Sequence, residues 1–342
     1  MGKRNEIVYL IGAIISTSLS IYQGYITHNN LCIVYSVLGA FSYSFFSAHS
    51  LRKSIKNILL HGMSLVLVFN FGICIYFIPW LIPFAFALIF LVCYLITEFF
   101  TVPNPKYFYI LLLFTVGLKG INKFELNNLV KLNIYLSYGI GFSIISAILI
   151  GILFSIPWND QIRCRTKHNS KDSLTDKIYK KIHCKPQLLV IAVHGAFTFF
   201  VIGYVIFLLN INDSVWIAVS CTAVISADEI FLIKKKFKQR IIGSILGISL
   251  GYLILILELD LLSLLLILLI MNALFELYMK KNYLIANIFT NPLVLILAQF
   301  STSGSILEIT IHRFVYLVLG ALIGYCSMLI FYSSLDHLYL YK

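Results

Sequence analysis

The stretch that decides the fold is Arg240-Ile-Ile-Gly243-Ser-Ile-Leu-Gly247-Ile-Ser-Leu-Gly251, which continues as Tyr-Leu-Ile-Leu-Ile-Leu to position 257. No charged residue follows Arg240 until Glu258, so the segment approaches the roughly 20 apolar residues of a transmembrane helix. Its glycines recur at every fourth position and therefore lie on one face of that helix. This face predicts close packing against a neighbouring helix. The alternative is that it forms a backbone-lined wall of a permeation path.

The composition of the whole chain agrees with this segment. Hydrophobic residues make up 60% of the 342 residues and charged residues 12%, with a mean hydropathy of +0.93. Soluble domains carry about 25% charged residues, so a water-soluble globular protein is excluded. The seven cysteines are scattered through apolar runs and do not form a disulfide framework. We predict an all-α polytopic membrane protein.

Apolar runs of the required length recur along the whole chain. We predict about twelve spans, and the fifth is short enough to be a partial or tilted helix. The predicted spans are 7–22, 31–48, 58–78, 81–100, 107–120, 133–156, 188–209, 215–233, 241–257, 261–278, 283–300 and 313–333.

Basic residues predict the orientation of these spans. With the N-terminus in the cytoplasm and twelve alternating spans, only Lys119, Lys123, Lys131 and Arg313 of the 26 Lys and Arg residues lie outside. Cytoplasmic loops of membrane proteins carry an excess of Lys and Arg. We therefore expect a multi-pass protein of the plasma or inner membrane with both termini cytoplasmic. The net charge of +12 then needs no nucleic acid to explain it.

One long polar segment divides the chain into three parts. Residues 1–157 form a first six-span transmembrane repeat, residues 158–187 a basic cytoplasmic linker, and residues 188–342 a second six-span repeat. Six spans return the chain to the same side, so the repeats are parallel. The order of features is shared: a span, a basic run, then a new span opening near His61-Gly62 or Gly243. The basic linker is placed to contact anionic lipids of the inner leaflet.

Three motifs of the second half resemble the fusaric acid resistance-like family of the aromatic acid exporter superfamily. The first is Arg-x-x-Gly-x-x-x-Gly-x-x-x-Gly beginning at Arg240, after a basic run. The second is Asn282-Tyr283 followed by Thr290-Asn291-Pro292, and the third is the closing helix from Arg313 through Gly320-Ala-Leu-Ile-Gly324. The similarity is clearest over 215–333 and weaker over 31–120. The chain departs from longer bacterial members, which carry a soluble domain in place of the short segment 158–187.

The resemblance implies export of small aromatic or amphiphilic organic acids, and related plant proteins conduct malate. The glycines Gly243, Gly247, Gly251, Gly320 and Gly324 are expected to pack helices together, and with the family they suggest a homodimer. We expect no enzyme activity, because no P-loop, Gly-x-Ser-x-Gly or His-Glu-x-x-His motif is present. We also expect no cofactor, no metal and no nucleic acid partner.

The predicted substrate site lies on the eleventh span. Asn287, Thr290 and Asn291 fall at i, i+3 and i+4 and share one helix face. Pro292 removes a backbone donor, and a helix broken in mid-membrane exposes polar groups to a substrate. Asn272 on the tenth span joins this set. The alternative is a simple proline kink whose polar neighbours satisfy the loosened backbone.

Four carboxylates are candidates for proton coupling. Glu276 and Glu98 lie near the inner ends of the tenth and fourth spans, and Asp228-Glu229 precede a basic run. Carboxylates at membrane depth are functional candidates by default. The alternative is that they pair with nearby lysines at the membrane surface.

These observations lead to three hypotheses about function. The first is a proton-coupled secondary exporter of small organic acids. The second is a passive organic-anion channel. The third is a non-transporting membrane scaffold or lipid-handling component, which is expected if no cavity reaches the eleventh span.

Overall fold

The computed structural model describes residues 3–100, 102, 107–119, 126–158, 183, 187–209, 213–226, 230–279, 281–301 and 304–340. Within these ranges the chain forms twelve α-helices joined by short connections. The helices are α1 (Lys3–Ile26), α2 (Asn30–Ala40), α3 (Leu51–Tyr76), α4 (Ile82–Phe99), α5 (Phe108–Leu118), α6 (Leu126–Leu153), α7 (Gln187–Leu208), α8 (Trp216–Ile225), α9 (Ile230–Ile256), α10 (Leu261–Met279), α11 (Tyr283–Ser301) and α12 (Ile306–Leu340).

Nine of the helices in the described residues are long and apolar enough to cross a membrane, and three are shorter. The short ones are α2, which continues as a 3-10 helix over Phe41–Phe45, α5, and α8, which follows a 3-10 turn at Asp213–Val215. The prediction of a helical membrane bundle is therefore confirmed, while twelve full-length spans are not. The predicted fifth span, 107–120, is indeed short.

The basic runs before the third and ninth predicted spans lie on helices, so these two helices begin earlier than the predicted spans 58–78 and 241–257. The helix α3 begins at Leu51 and carries Lys53 and Lys56, and its start is capped by Ser50, whose Oγ accepts from the Lys53 backbone N–H. The helix α9 begins at Ile230, so the run from Lys234 to Arg240 occupies its first turns. The predicted span 215–233 accordingly ends at Ile225. Lysines snorkel readily from a helix end, which lets a membrane helix begin before its apolar part.

Matching helix pairs pack together in the two halves of the chain. In the first half α3 packs against α5 and α2 against α6; in the second half α9 packs against α11 and α8 against α12. The contacts between the halves also come in matching pairs. The helix α4 contacts α7 as α10 contacts α1, and α5 contacts α8 as α11 contacts α2.

The short helices α5 and α8 are buried within the bundle. Every residue of α8 from Trp216 to Ile225 is buried, and so is most of α5. Long helices instead expose large apolar side chains such as Leu67, Leu88 and Phe197 to the outside. Such an exterior suits lipid and would be costly in water.

Candidate functional site

The helices α9 and α11 approach closely along the glycine face predicted from the sequence. A Cβ added at Gly247 would lie 2.6 Å from the carbonyl oxygen of Ile288, and one at Gly251 would lie 2.9 Å from the Cα of Pro292. Carbon and oxygen atoms in contact do not normally approach so closely, so any larger residue would force the two helices apart. The glycine face is therefore covered by α11.

Gly320 and Gly324 make the corresponding approach between α12 and α8. Gly320 faces the carbonyl oxygen of Ile217, and a Cβ added at Gly324 would lie 3.1 Å from the Cys221 Sγ atom. These two close contacts, α9 with α11 and α8 with α12, fix four helices around one buried region.

The helix α11 is continuous through Pro292, which corrects the expectation of a break. Proline removes the hydrogen bond that the Ile288 carbonyl would have accepted. That carbonyl faces Gly247 of α9, where the missing side chain leaves room for it. The Asn291 side chain donates to the carbonyl of Asn287 at 2.8 Å and so supports the adjacent turn. These contacts compensate for the proline, and the helix does not open.

A buried arginine lies beside the contact between α9 and α11, which we call the seam. The Arg240 Nη1 atom donates to the Asn287 Oδ1 atom at 2.8 Å, and its Nε donates to the Ser220 hydroxyl at 3.3 Å. The Asn287 amide donates in return to the Arg240 carbonyl at 2.9 Å and to the Ser244 hydroxyl at 3.3 Å. Arg240 is 6% exposed and Asn287 2%. The guanidinium is thus held by neutral oxygens in the interior of the bundle.

A second buried arginine, Arg313 of α12, contacts α8 about one turn before the residue that Arg240 contacts. The Arg313 guanidinium carbon is 3.9 Å from the centre of the Trp216 ring, a cation–π contact. Arg313 is 4% exposed, and its Nε and Nη1 atoms have no hydrogen-bond partner among the described residues. Trp216 precedes Ser220 by four residues, so the two guanidinium groups contact the same face of α8, about one turn apart.

We did not predict from the sequence that these arginines are functional. Arg240 stands at the end of a basic run and the start of the glycine motif, and Arg313 was expected on the outer side of the membrane, at the start of the closing helix. A signal was nevertheless present, since each is followed by a long run without charge. Arginine buried in a membrane helix is a functional candidate by default.

A charged cluster closes the bundle end next to Arg313. The Lys119 Nζ atom is 2.8 Å from the Asp213 Oδ1 atom, and the His312 Nδ1 atom is 3.4 Å from Oδ2. Partial burial disfavours ionisation of Asp213, but the Lys119 charge and these hydrogen bonds outweigh it, and the pKa of this carboxyl lies below its usual range. Asp213 is therefore ionised at neutral pH and ties α5 to the starts of α8 and α12.

Asn272 and Glu276 lie in a different place, between α10 and α1. The Asn272 amide donates to the Thr17 hydroxyl at 3.0 Å, and the Tyr9 hydroxyl donates to Glu276 at 3.1 Å. A cavity of about 90 Å³ opens here. It is lined by Glu6, Ile7, Tyr9, Leu10, Glu276, Leu277 and Lys281. Asn272 and Glu276 therefore both contact α1, whereas Asn287 and Asn291 contact α9.

The remaining predicted site residues are dispersed. The Thr290 hydroxyl donates to the Ala286 carbonyl of its own helix at 2.8 Å. Glu98 is half-buried at the end of α4. Asp228 and Glu229 lie outside the described residues, as does most of the basic segment 158–187.

The first half packs in the same way as the second but has no buried arginine in the corresponding place. A Cβ added at Gly72 of α3 would lie 2.6 Å from the carbonyl oxygen of Phe114, as one at Gly247 would from that of Ile288. These contacts align α3 with α9 and α5 with α11.

The same alignment places leucines where the second half has its polar pair. Arg240 precedes Gly247 by seven residues, as Leu65 precedes Gly72, and Asn287 precedes Ile288 by one residue, as Leu113 precedes Phe114. Leu65 and Leu113 are fully buried. The polar network thus belongs to the second half of the described bundle.

Two cavities of the described residues have no lining residue from α11. One is the cavity at Glu276. The other is an open apolar groove of about 340 Å³ between α9 and α12, lined by Phe237, Lys238, Ile241, Ile242, Val318 and Leu322.

A family comparison matches the part of the chain that carries this network. Residues 193–327 match the model described as fusaric acid resistance protein-like. The resemblance inferred from the sequence is thereby confirmed for this part of the chain, which includes α8, α9, α10, α11 and both buried arginines. No curated protein and no solved structure matches the chain. The described residues contain nine apolar helices of sufficient length to cross a membrane, and together with the family match they make the chain a multi-pass membrane protein.

Proposed function

We propose that the protein is a membrane transporter that exports small aromatic or amphiphilic organic acids by secondary, proton-coupled transport. The observation that carries this proposal is the Arg240 guanidinium, held in the bundle by the neutral oxygens of Asn287 and Ser220. An uncompensated cation in a low-dielectric interior attracts anions strongly. The family match over 193–327 supports a transport role for this half of the chain.

Asn287 orients the guanidinium, while Asn291, Thr290 and Pro292 shape the helix that presents Asn287. In this conformation the site is covered by the close contact of α9 with α11. We infer that α11 moves away from the glycine face of α9 when an anion enters, since alternating access requires rearrangement of packed helices.

Proton coupling is assigned in this proposal to Glu276, with Asn272 as its neighbour one turn earlier. The cavity beside Glu276 is also lined by Glu6 near the chain start and by Lys281 between α10 and α11. The carboxylate thus lies beside a small opening that also has an acidic and a basic side chain in its lining. Glu98 lines neither of the two cavities described above, and Asp228 and Glu229 remain candidates from the sequence alone.

The arrangement of the protein in the membrane is also part of the proposal. We infer two parallel six-helix repeats, 1–157 and 188–342, in a cell membrane, with both termini cytoplasmic and the basic segment 158–187 near anionic lipids. The matching helix pairs and the matching glycine contacts support the repeat. A homodimer remains the proposed quaternary state from the family resemblance alone, because the glycine faces that suggested it are covered by helices of the same chain.

Proteoliposomes test the transport proposal. We expect wild-type protein to move radiolabelled benzoate under an imposed pH gradient, Arg240→Gln to abolish the flux, and Glu276→Gln to leave exchange that no longer responds to the gradient. Glu308→Gln is the matched control, because this carboxylate is exposed at the start of α12. Flux that depends on Arg240 but is insensitive to Glu276→Gln would indicate the passive anion channel.

The closed seam favours a second candidate, a non-transporting scaffold or lipid-handling component. Neither of the two cavities described above has a lining residue from α11. Absence of benzoate flux in wild-type proteoliposomes of verified orientation, across both directions of the gradient, would support this candidate and contradict the exporter.

A further inference from the structure

We propose that Arg313 and Trp216 form a second anion subsite, which binds the carboxylate of a small organic anion about one α8 turn from Arg240. The proposal deepens the proposed function, because the same anion would meet both guanidinium groups. It rests on residues that the sequence predictions did not place in any site.

The geometry of α8 brings the two subsites together. The Trp216 ring lies under the Arg313 guanidinium at 3.9 Å, and one turn later the Ser220 hydroxyl accepts from Arg240 at 3.3 Å and donates to the Leu317 carbonyl at 2.6 Å. Two positive groups therefore face the same stretch of α8 from α9 and α12. Their repulsion favours an anion between or beside them.

The hydrogen bonding of Arg313 is incomplete. Its Nε and Nη1 atoms are buried without an acceptor in the described part of the chain. Burying donors without partners costs free energy. Hydrogen bonds between charged groups are the strongest ones that could offset this cost. The Trp216 ring face contributes attraction to the cation but accepts no conventional hydrogen bond. The Nε and Nη1 atoms of Arg313 could therefore donate hydrogen bonds to the oxygens of a carboxylate.

Among the described residues, the Asp213 carboxylate attracts Arg313, but it is already engaged with other partners. Asp213 is paired with Lys119 at 2.8 Å and with His312 at 3.4 Å. Its negative charge is balanced within this cluster at the end of the bundle. Arg313 and Arg240 thus leave an excess of positive charge inside the described helices, which a bound organic anion would neutralise.

The first half lacks this subsite and supplies a matched control. The Ser36 hydroxyl donates to the Tyr135 carbonyl as the Ser220 hydroxyl donates to that of Leu317. This alignment puts Cys32 in the place of Trp216 and Lys131 in the place of Arg313. Cys32 is fully buried and Lys131 is exposed, so no buried cation arises there.

Binding can be measured on the full-length protein in detergent, independently of transport. Trp80→Phe and Trp158→Phe leave Trp216 as the single tryptophan reporter. Sodium benzoate is titrated against sodium chloride at equal ionic strength, following Trp216 emission and the midpoint of thermal unfolding. We expect a saturable change with benzoate in this background and in its Lys131→Gln variant.

Arg313→Gln should weaken that benzoate response about tenfold or more, because it removes hydrogen bonds to a charged group. Arg313→Lys should restore part of it. In chloride alone, Arg313→Gln should unfold at the same or a higher temperature than its parent, since an unpaired buried charge has been removed. If Arg313 were required for folding, Arg313→Gln would instead lower the midpoint of thermal unfolding in every salt.

Three results would overturn the subsite: an equal benzoate response in Arg313→Gln and Lys131→Gln, no response in the parent, or a lower midpoint of Arg313→Gln in chloride. Failure of the transport proposal is distinguishable. If benzoate flux is absent but the Trp216 response requires Arg313, the subsite stands. If Arg240 supports flux and Arg313→Gln leaves both flux and response unchanged, transport stands without it.

Discussion

At the scale of single residues, the buried polar network is a local exception in an apolar bundle. The Arg240–Asn287 pair occupies a packing position where the first half has Leu65 and Leu113. Leucines satisfy this position through packing alone. The polar pair adds desolvation costs that packing does not require, which is why we assign it a function.

We expect Asn287→Leu alone to lower the free energy of unfolding by about 1–3 kcal/mol, because the buried Arg240 loses its amide acceptor. Arg240→Leu alone should cost a similar amount by stranding the Asn287 amide. The double variant, which copies Leu65 and Leu113, should lie within about 1 kcal/mol of wild type. Unfolding in mixed micelles measures all three. A double variant as unstable as the sum of the single ones would show that the pair does not act as a unit.

The sequence was informative about some of these residues and silent about others. Asn287 and Asn291 fall at i and i+4, so their shared face follows from helix geometry. The burial of Arg240 does not follow from the sequence, because it closes a run in which Lys234, Lys235 and Lys238 are exposed. Only the position of α8 decides which member of that run points inward. The separation of Asn272 from Asn287 likewise depends on how α10 packs against α1.

At the scale of helices, apolar runs predict the existence of each element better than its ends. The helix α9 starts at Ile230, about three turns before the predicted span, because a helix can continue through lysines that snorkel to the surface. Pro292 predicts a break that α11 does not have. The glycine face of α9 supplies the reason, since it accommodates the carbonyl that the proline leaves without a donor.

We expect Gly247→Ala to destabilise the protein by about 1–3 kcal/mol, because its methyl group would meet the Ile288 carbonyl and overpack the seam. Gly141→Ala on α6 is the matched control. A Cβ there meets nothing within 4 Å, so Gly141→Ala should be neutral or should stabilise the protein by up to about 1 kcal/mol, because alanine is the better helix former. The measurement is the free energy of unfolding of both variants. An equal loss of stability in the two would contradict the role given to the glycine face.

At the scale of the whole molecule, the matching pairs of helices relate the two halves more closely than their sequences do. The pairs α3–α5 and α9–α11 share a glycine-to-carbonyl contact, yet only the second pair contains an arginine. Hydropathy alone could not have revealed this correspondence, because residues of different chemistry fill equivalent positions. The charge distribution along the chain nevertheless predicts one orientation for the whole bundle.

We expect single cysteines at positions 171 and 342 to react with an impermeant maleimide only from the cytoplasmic side, and one at position 123 only from the opposite side. The seven native cysteines are first replaced. The physical reason is the excess of Lys and Arg retained on the cytoplasmic face. Labelling of positions 171 and 342 from opposite sides would contradict an even number of crossings.

The two short buried helices α5 and α8 contact each other at the centre of the bundle. At about 1.5 Å per residue, each is only roughly 16 Å long, about half the thickness of the hydrocarbon layer. The longer helices around them keep lipid away from these two short helices. Neither helix crosses the hydrocarbon layer by itself, so the polar groups at their ends, including Lys119 and Asp213, have to be satisfied by partners within the bundle.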